Sequence, residues 1–187
     1  MKILIAYATA HGSTGEVGEF IGRALRAYNV EVTVANVKEV QSVTGYDAFV
    51  LGSAIHGSLW LQEMCVFIDQ FHDKLAEKPA YFWINCIRAL EADGREHALK
   101  YYFDYKSLQS IHVRAPAIFT GKLNTLENNR NEQWFLVANY DGKLTPGNIN
   151  HDYRDWGAIA AWANELAKEL DLQPSFEPVE RTEFVRP

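Results

Sequence analysis

A short run of glycine and hydroxyl residues near the start of the chain has the composition of an anion-binding loop. Thr9, Ser13 and Thr14 supply hydroxyl donors, and Gly12 and Gly15 let the backbone turn and approach a ligand closely. The loop has no lysine and lacks the glycine spacing of dinucleotide-binding loops, so the pattern favours a phosphate over a pyrophosphate. The alternative is an ordinary strand-to-helix turn in which Ser13 caps the helix.

The elements on either side of this loop suit that chemistry. Ile3 to Ala8 form a continuous apolar run, which is typical of a strand buried on both faces. From Glu16 to Tyr28 the apolar residues recur at helical spacing. A strand, a tight polar loop and a helix together aim backbone N–H groups and the positive end of the helix dipole at an anion.

The remaining apolar patterns predict an alternation of strands and helices. Further strands are predicted at 31–36, 48–51, 80–86 and 113–120, and helices after residue 61, at 92–108 and at 156–166. Such alternation calls for a parallel sheet with helices on both faces, whose ligands bind beyond the carboxyl ends of the strands. The loops that begin at Thr9, Gly52 and Asn85 follow three of these ends, and we expect them to form one site.

Composition and charge limit the class of protein. The 187 residues suffice for one domain, and we expect residues 1–170 to form it and 171–187 to be an extended tail. A net charge of −6 argues against a general binder of nucleic acid or anionic membranes. No apolar stretch suits a signal peptide or a membrane span, and the cysteines and histidines show no metal-ligand spacing. We therefore expect a cytoplasmic protein without a metal site or a nucleic-acid partner.

Two segments resemble known flavoproteins. Thr9-x-x-Gly12-x-Thr14 after an N-terminal strand is similar to the FMN-phosphate loop of flavodoxins, with His11 where that loop has a hydroxyl residue. The segment from Tyr46 to Gly57 and the pattern of the last predicted helix are similar to the flavodoxin-like protoporphyrinogen dehydrogenases. The resemblance implies a flavodoxin-like three-layer α/β sandwich, with five parallel strands in the order 2-1-3-4-5 and helices on both faces.

The same resemblance implies where FMN would bind. The first loop would hold the phosphate, and the loops after the third and fourth predicted strands would hold the isoalloxazine ring. The residues assigned in this way are Thr9, Ala10, His11, Gly12, Ser13 and Thr14, then Ser53, Ala54, Ile55, His56, Gly57 and Trp60, and finally Asn85, Ile87 and Arg88.

Four of these side chains have a second interpretation. Trp60 either stacks on the flavin or packs on the helix that follows it. His11 either donates to the phosphate or faces solvent, and His56 either tunes the flavin or takes a substrate proton. Arg88 either meets an anionic substrate or pins its own loop. No residue is assigned as catalytic.

The expected function is that of an FMN-dependent redox protein. The favoured activity is that of an oxidoreductase acting on a porphyrinogen-like or quinone-like small molecule. It is favoured because of the segment that ends at Gly57 and because the long connection 121–154 could wall a substrate pocket. A carrier of electrons to a protein partner and a flavin-free binding module of the same fold are the alternatives. A homodimer also remains open.

Overall fold

A parallel sheet forms the centre of the protein. The structure is a computed structural model and describes residues 1–103, 106–108, 110–123 and 151–174. The parallel strands lie in the order β2-β1-β3-β5-β6, and a two-residue strand, β4, pairs antiparallel with β3. Their bounds are β1 Lys2–Ala8, β2 Glu31–Asn36, β3 Ala48–His56, β4 Leu59–Trp60, β5 Ala80–Asn85 and β6 Val113–Phe119. Apart from the short β4, this is the predicted order 2-1-3-4-5, which is confirmed.

Helices cover both faces of the sheet. The α-helices in the described part of the chain are α1 Ser13–Arg26, α2 Gln62–Ala76, α3 Gly94–Tyr101 and α4 Trp156–Glu169. Short 3-10 turns lie at Val37–Glu39, Ile87–Leu90 and Lys106–Leu108. One core cluster joins α1 and α4 to the sheet, and a second joins α2 and α3 to its other face. The three-layer α/β sandwich predicted from the sequence is therefore confirmed.

The side chains of β1 alternate between the two faces of the sheet. Ile3 and Ile5 belong to the core under α1 and α4, while Leu4 and Ala6 belong to the core under α2 and α3. All four side chains are fully buried. A strand that is covered on both faces has no solvent side, and this is why its sequence is a continuous apolar run.

The third strand is longer than its sequence indicates. A loop was predicted from Gly52, but β3 continues to His56, and Gly52 pairs with Tyr7 on one side and Trp83 on the other. A Cβ atom at Gly52 would lie 2.0 Å from the indole ring of Trp83. The glycine is therefore required by the large ring packed on the strand, and the prediction of a loop is wrong from Gly52 to His56.

The third helix is shorter than predicted. The pattern indicated a helix over 92–108, whereas α3 ends at Tyr101 and a separate 3-10 turn follows at Lys106–Leu108. The carbonyl oxygen of Tyr102 accepts a hydrogen bond from the indole N–H of Trp60. That carbonyl is thus engaged by a residue from β4 at the point where the helix ends.

Two predicted features lie largely outside the described residues. These are the connection 121–154, of which 121–123 and 151–154 are described, and the tail 171–187, of which 171–174 are described. Within the described ranges, no helix is both long enough and apolar enough to cross a membrane.

Candidate functional site

The carboxyl ends of three neighbouring strands lie side by side. Ala8 of β1 is level with Ser53 of β3, and Ala54 is level with Asn85, the last residue of β5. Asn85 is in turn level with Phe119, the last residue of β6. The three loops that the sequence singled out therefore leave the same edge of the sheet, which is where such sheets bind ligands.

The first loop is an open turn at the start of α1. Gly12 precedes the helix with φ 88°, in the left-handed region, and its N–H donates to Thr9 Oγ1 at 2.9 Å. A Cβ atom at Gly12 would meet no other atom within 4 Å, and Ala10 and His11 are exposed. Ser13 is the first helical residue, and no side chain caps the helix. The alternative in which Ser13 caps the helix is therefore wrong, because the capping position belongs to Gly12.

Thr14 provides a buried hydroxyl that the chain itself does not use. The residue is fully buried in the first turn of α1, and Thr14 Oγ1 has no hydrogen-bond partner among the described residues. A buried polar group left unsatisfied costs about 1–3 kcal/mol. The first N–H groups of a helix also lack partners within the helix. Together these donors have the chemistry of a phosphate-binding site.

The second loop is the tight hairpin between β3 and β4. Gly57 and Ser58 both have positive φ angles, 57° and 63°, which match the type I′ turn that joins two antiparallel strands. The hairpin tip is exposed from His56 to Leu59, and 70% of Leu59 is accessible. The backbone of the tip is therefore open to a ligand at the end of β3, although Ala54, Ile55 and His56 lie in the strand itself.

Ser53 and Trp60 have internal partners in this hairpin. Ser53 is fully buried, and its hydroxyl accepts from the N–H of Leu61 at 3.2 Å. Trp60 is 8% exposed, packs edge-on against Phe103, and donates its indole N–H to the carbonyl of Tyr102. This burial favours the interpretation of Trp60 as a packing residue over that of a residue stacked on a ligand.

Asn85 joins the ends of β5 and β6 at the start of the third loop. Its side-chain oxygen accepts from the indole N–H of Trp83 at 3.1 Å, and its amide donates to the carbonyl of Thr120 at 2.9 Å. The side chain is thereby engaged at both ends and only 4% of the residue is exposed. Asn85 therefore holds the loop in place. The adjacent Cys86 is also buried, and this burial raises the pKa of its thiol to about 11.

Arg88 lies over its own loop. Its guanidinium pairs with Glu91 at 3.4 Å and with Asp93 at 3.6 Å, which favours the interpretation that Arg88 pins the loop. Arg88 Nε is nevertheless buried with no hydrogen-bond partner in the described part of the chain. Its neighbour Ile87 belongs to a small apolar cluster with two residues from the ends of the connection 121–154.

The ends of the connection 121–154, which the sequence indicated only as a wall for a substrate pocket, pair with each other beside the first loop. The N–H of Leu123 donates to the carbonyl of His151, and the N–H of Tyr153 donates to that of Gly121, at 3.0 and 3.2 Å. Arg154, which follows, donates to the carbonyl of Ser13 at 3.4 Å. The paired ends therefore lie between the first and third loops. Sequence patterns could not predict this, because the contacting residues are far apart along the chain.

A separate groove lies beside α2. Its volume is about 410 Å³, and it is lined by residues of the turn after β2 and of the first half of α2. The ion pair between Lys38 and Glu63, at 3.1 Å, crosses these two elements. None of the residues that the sequence assigned to a ligand lines this groove.

The family of the protein follows from comparison with known sequences. The profile of a family described as the flavodoxin domain matches residues 4–133. The chain belongs to this family. The match includes all three loops and nearly all of the five parallel strands, whereas residues 151–154 lie beyond the matched range.

Individual relatives agree with this assignment. The chain is 24% identical over 177 residues to the protoporphyrinogen IX dehydrogenase [quinone] of Escherichia coli K12, covering 91% of this chain and 97% of that protein. Oxidised flavodoxin 1 of Bacillus cereus shares the fold with a TM-score of 0.57 at 16% identity, covering 90% of this chain and 98% of that one. A flavodoxin from the domain Archaea has a TM-score of 0.56 at 15% identity, with coverages of 91% and 99%.

Proposed function

We propose that this flavodoxin-domain protein binds FMN at the carboxyl edge of its sheet and uses it in a redox reaction. Family membership supports a redox role, and the observation that carries the cofactor proposal is the unpartnered, fully buried hydroxyl of Thr14. A phosphate at the start of α1 would give this hydroxyl and the free helical N–H groups a partner.

The first loop would bind the phosphate through backbone and hydroxyl donors. The residues in this role are Thr9, Ala10, His11, Gly12, Ser13 and Thr14. The left-handed turn at Gly12 and the exposure of Ala10 and His11 support it, because backbone N–H groups there are accessible to an anion. Thr9 would act indirectly, since its hydroxyl accepts from the N–H of Gly12 and fixes the turn.

The second and third loops would hold the ring of the flavin. The end of β3 and the exposed hairpin tip, Ile55, His56 and Gly57, would face the ring on one side, and Ile87 and Arg88 would face it on the other. Ser53, Asn85 and Trp60 would support these loops from behind, since each already has a partner within the protein. When bound, FMN supplies the electron chemistry, and the chain positions it and limits its contact with water.

The activity that we favour is that of an oxidoreductase acting on a porphyrinogen-like or quinone-like small molecule. The support is an alignment with an enzyme named for protoporphyrinogen IX and quinone that runs over nearly the whole length of both proteins. Transfer of electrons to a protein partner is the alternative, and the exposed hairpin tip around Leu59 is the feature that favours it.

The cofactor is tested first, with the visible spectrum of the purified chain and chromatography of the released cofactor. We expect a flavin spectrum and FMN as the released compound. A colourless protein that fails to bind added FMN would refute the proposal and support a flavin-free module. Release of FAD would contradict the assignment of the first loop to a terminal phosphate.

The reaction is tested next with the FMN-loaded protein. Protoporphyrinogen IX is supplied with menadione as acceptor, and product formation is followed by porphyrin fluorescence. An enzyme should give a rate that saturates with protoporphyrinogen. A rate that equals the protein-free control, combined with rapid electron exchange with a flavodoxin reductase, would identify an electron carrier instead.

A further inference from the structure

Arg154 is a buried cation held in a fixed orientation. Its side chain is only 3% exposed, and Nε and Nη2 donate to the two carboxylate oxygens of Asp152 at 2.7 and 2.6 Å. Nη1 donates to Glu16 Oε2 at 2.7 Å, and the guanidinium lies 4.5 Å from the ring of Trp156. These hydrogen bonds lower the pKa of Asp152 and raise that of Arg154, so both groups remain charged together.

Arg154 lies against the first turn of α1, next to the loop that is proposed to bind the phosphate. Glu16 lies in the first turn of α1, and Arg154 Nη1 also reaches the carbonyl of Ser13 in the same turn. The positive end of the helix dipole attracts both a carboxylate and a phosphate. An unpaired carboxylate at this end of α1 would therefore occupy the same favourable field as the phosphate and repel it.

We propose that Arg154 is a positioning residue for the cofactor phosphate, acting through Glu16. Arg154 is shared between Glu16 and Asp152. It thereby offsets the charge of the acidic side chain in the first turn of α1 and holds that side chain against the paired ends of the connection 121–154. No unpaired carboxylate in the first turn then competes with the phosphate for the N-terminus of α1. This inference rests on the proposed binding of FMN at the first loop, and it assigns Arg154 no contact with the phosphate.

The competing explanation is purely structural. Arg154 also fastens the segment 151–154 to α1, so its loss could loosen the site as a whole. A loosened site would weaken the binding of any flavin. Loss of charge neutralisation would weaken only ligands that carry the phosphate, and it would be relieved by removing the charge of Glu16.

The experiment compares FMN with riboflavin, which lacks the phosphate. Dissociation constants for both are measured by flavin fluorescence for the unaltered chain, Arg154→Met, Glu16→Gln and the double variant. Arg26→Met serves as the control, because Arg26 is a cation in the last turn of α1, at the end away from the loop. We expect Arg154→Met to weaken FMN about tenfold, because it leaves the carboxylates of Glu16 and Asp152 without their shared cation near the phosphate.

The other measurements separate the two explanations. Riboflavin affinity should be unchanged in every variant. Glu16→Gln in the double variant should restore the part of the lost FMN affinity that comes from Glu16, while Asp152 remains unpaired, and the loss should shrink in high salt. Equal weakening of FMN and riboflavin by Arg154→Met, or no restoration by Glu16→Gln, would overturn the inference while leaving the proposed function intact. If Arg154→Met does not fold, Glu16→Gln alone decides: it should keep or tighten FMN binding, and weaker binding would refute the inference.

Failure of the proposed function has a different signature. In that case the unaltered chain would bind FMN no better than riboflavin, or would bind neither. The phosphate loop would then be wrong, and the role of Arg154 would fall with it.

Discussion

Thr14→Val should stabilise the cofactor-free protein and weaken its binding of FMN. Valine has nearly the same shape and helix propensity as threonine, but it brings no hydroxyl into the buried position. Removing a buried group that has no hydrogen-bond partner recovers about 1–3 kcal/mol. In a domain of this size, each kcal/mol corresponds to about 2–4 °C in Tm, so the melting temperature of the apoprotein should rise by roughly 2–12 °C.

The effect on FMN has the opposite sign. A hydrogen bond from Thr14 to a charged phosphate would contribute about 1.5–3 kcal/mol, so its loss should weaken FMN by roughly 10- to 100-fold. Riboflavin affinity should not change. Both quantities are measured on one preparation, the Tm of the apoprotein by calorimetry and the dissociation constants by fluorescence.

Thr120→Val is the matched control. The hydroxyl of Thr120 donates to the carbonyl of Tyr153, so the same substitution there removes a hydrogen bond that the protein makes. It should lower the melting temperature. A lower Tm for Thr14→Val, or an FMN affinity equal to that of the unaltered chain, would show that the Thr14 hydroxyl is not a ligand donor.

Three further substitutions or reactions test the structure around the site. Gly52→Ala should destabilise the fold by about 1–3 kcal/mol or more in urea titrations, because its Cβ would lie 2.0 Å from Trp83. Asn85→Leu should cost about 1–3 kcal/mol in the same titrations, since it leaves the indole N–H of Trp83 buried without an acceptor. The Cys86 thiol, whose pKa burial raises to about 11, should resist iodoacetamide at pH 8 in the folded protein and react after denaturation.

The raised pKa of the Cys86 thiol also makes the stability of the folded protein depend on pH. Because the folded state disfavours the thiolate, the contribution of Cys86 is fully present below its ordinary pKa of 9.0 and is lost as the pH rises towards about 11. Replacing Cys86 with alanine should therefore flatten this part of the stability curve. The pH prediction is contradicted if the Cys86→Ala variant keeps the same slope of stability against pH. The urea predictions are contradicted if Gly52→Ala or Asn85→Leu has the midpoint of the unaltered chain. Fast alkylation of the native protein would contradict the prediction for the Cys86 thiol.

The central sheet could be predicted because its information is local. The apolar run of β1 and the alternation of β2 are readable from adjacent residues, and the strand order follows from the general rules of parallel sheets. The bounds of β2, Glu31–Asn36, match the predicted strand at both ends. The same reasoning placed the three loops at one edge.

The details of the loops depend on contacts between distant residues. A glycine after an apolar run is a signal for the end of a strand, but at Gly52 it makes room for Trp83, which lies on another strand. The two interpretations of Trp60 differed only in the partner of its indole, and that partner is a carbonyl beyond α3. Arg154 contacts Glu16, which lies 138 residues away in the sequence. Local patterns in a single sequence do not predict contacts between residues so far apart.

The polar side chains around the candidate site fall into two groups with different consequences. Ser53 and Asn85 make hydrogen bonds within the protein, so their replacement should cost stability and affect all flavins alike. Thr14 has a buried hydroxyl without a partner, so its replacement should cost recognition and not stability. Both groups lie close to the three loops, so position does not distinguish them. They differ in whether the buried polar group already has a hydrogen-bond partner. The ratio of FMN to riboflavin affinity should therefore change on replacement of Thr14 and stay the same on replacement of Ser53 or Asn85.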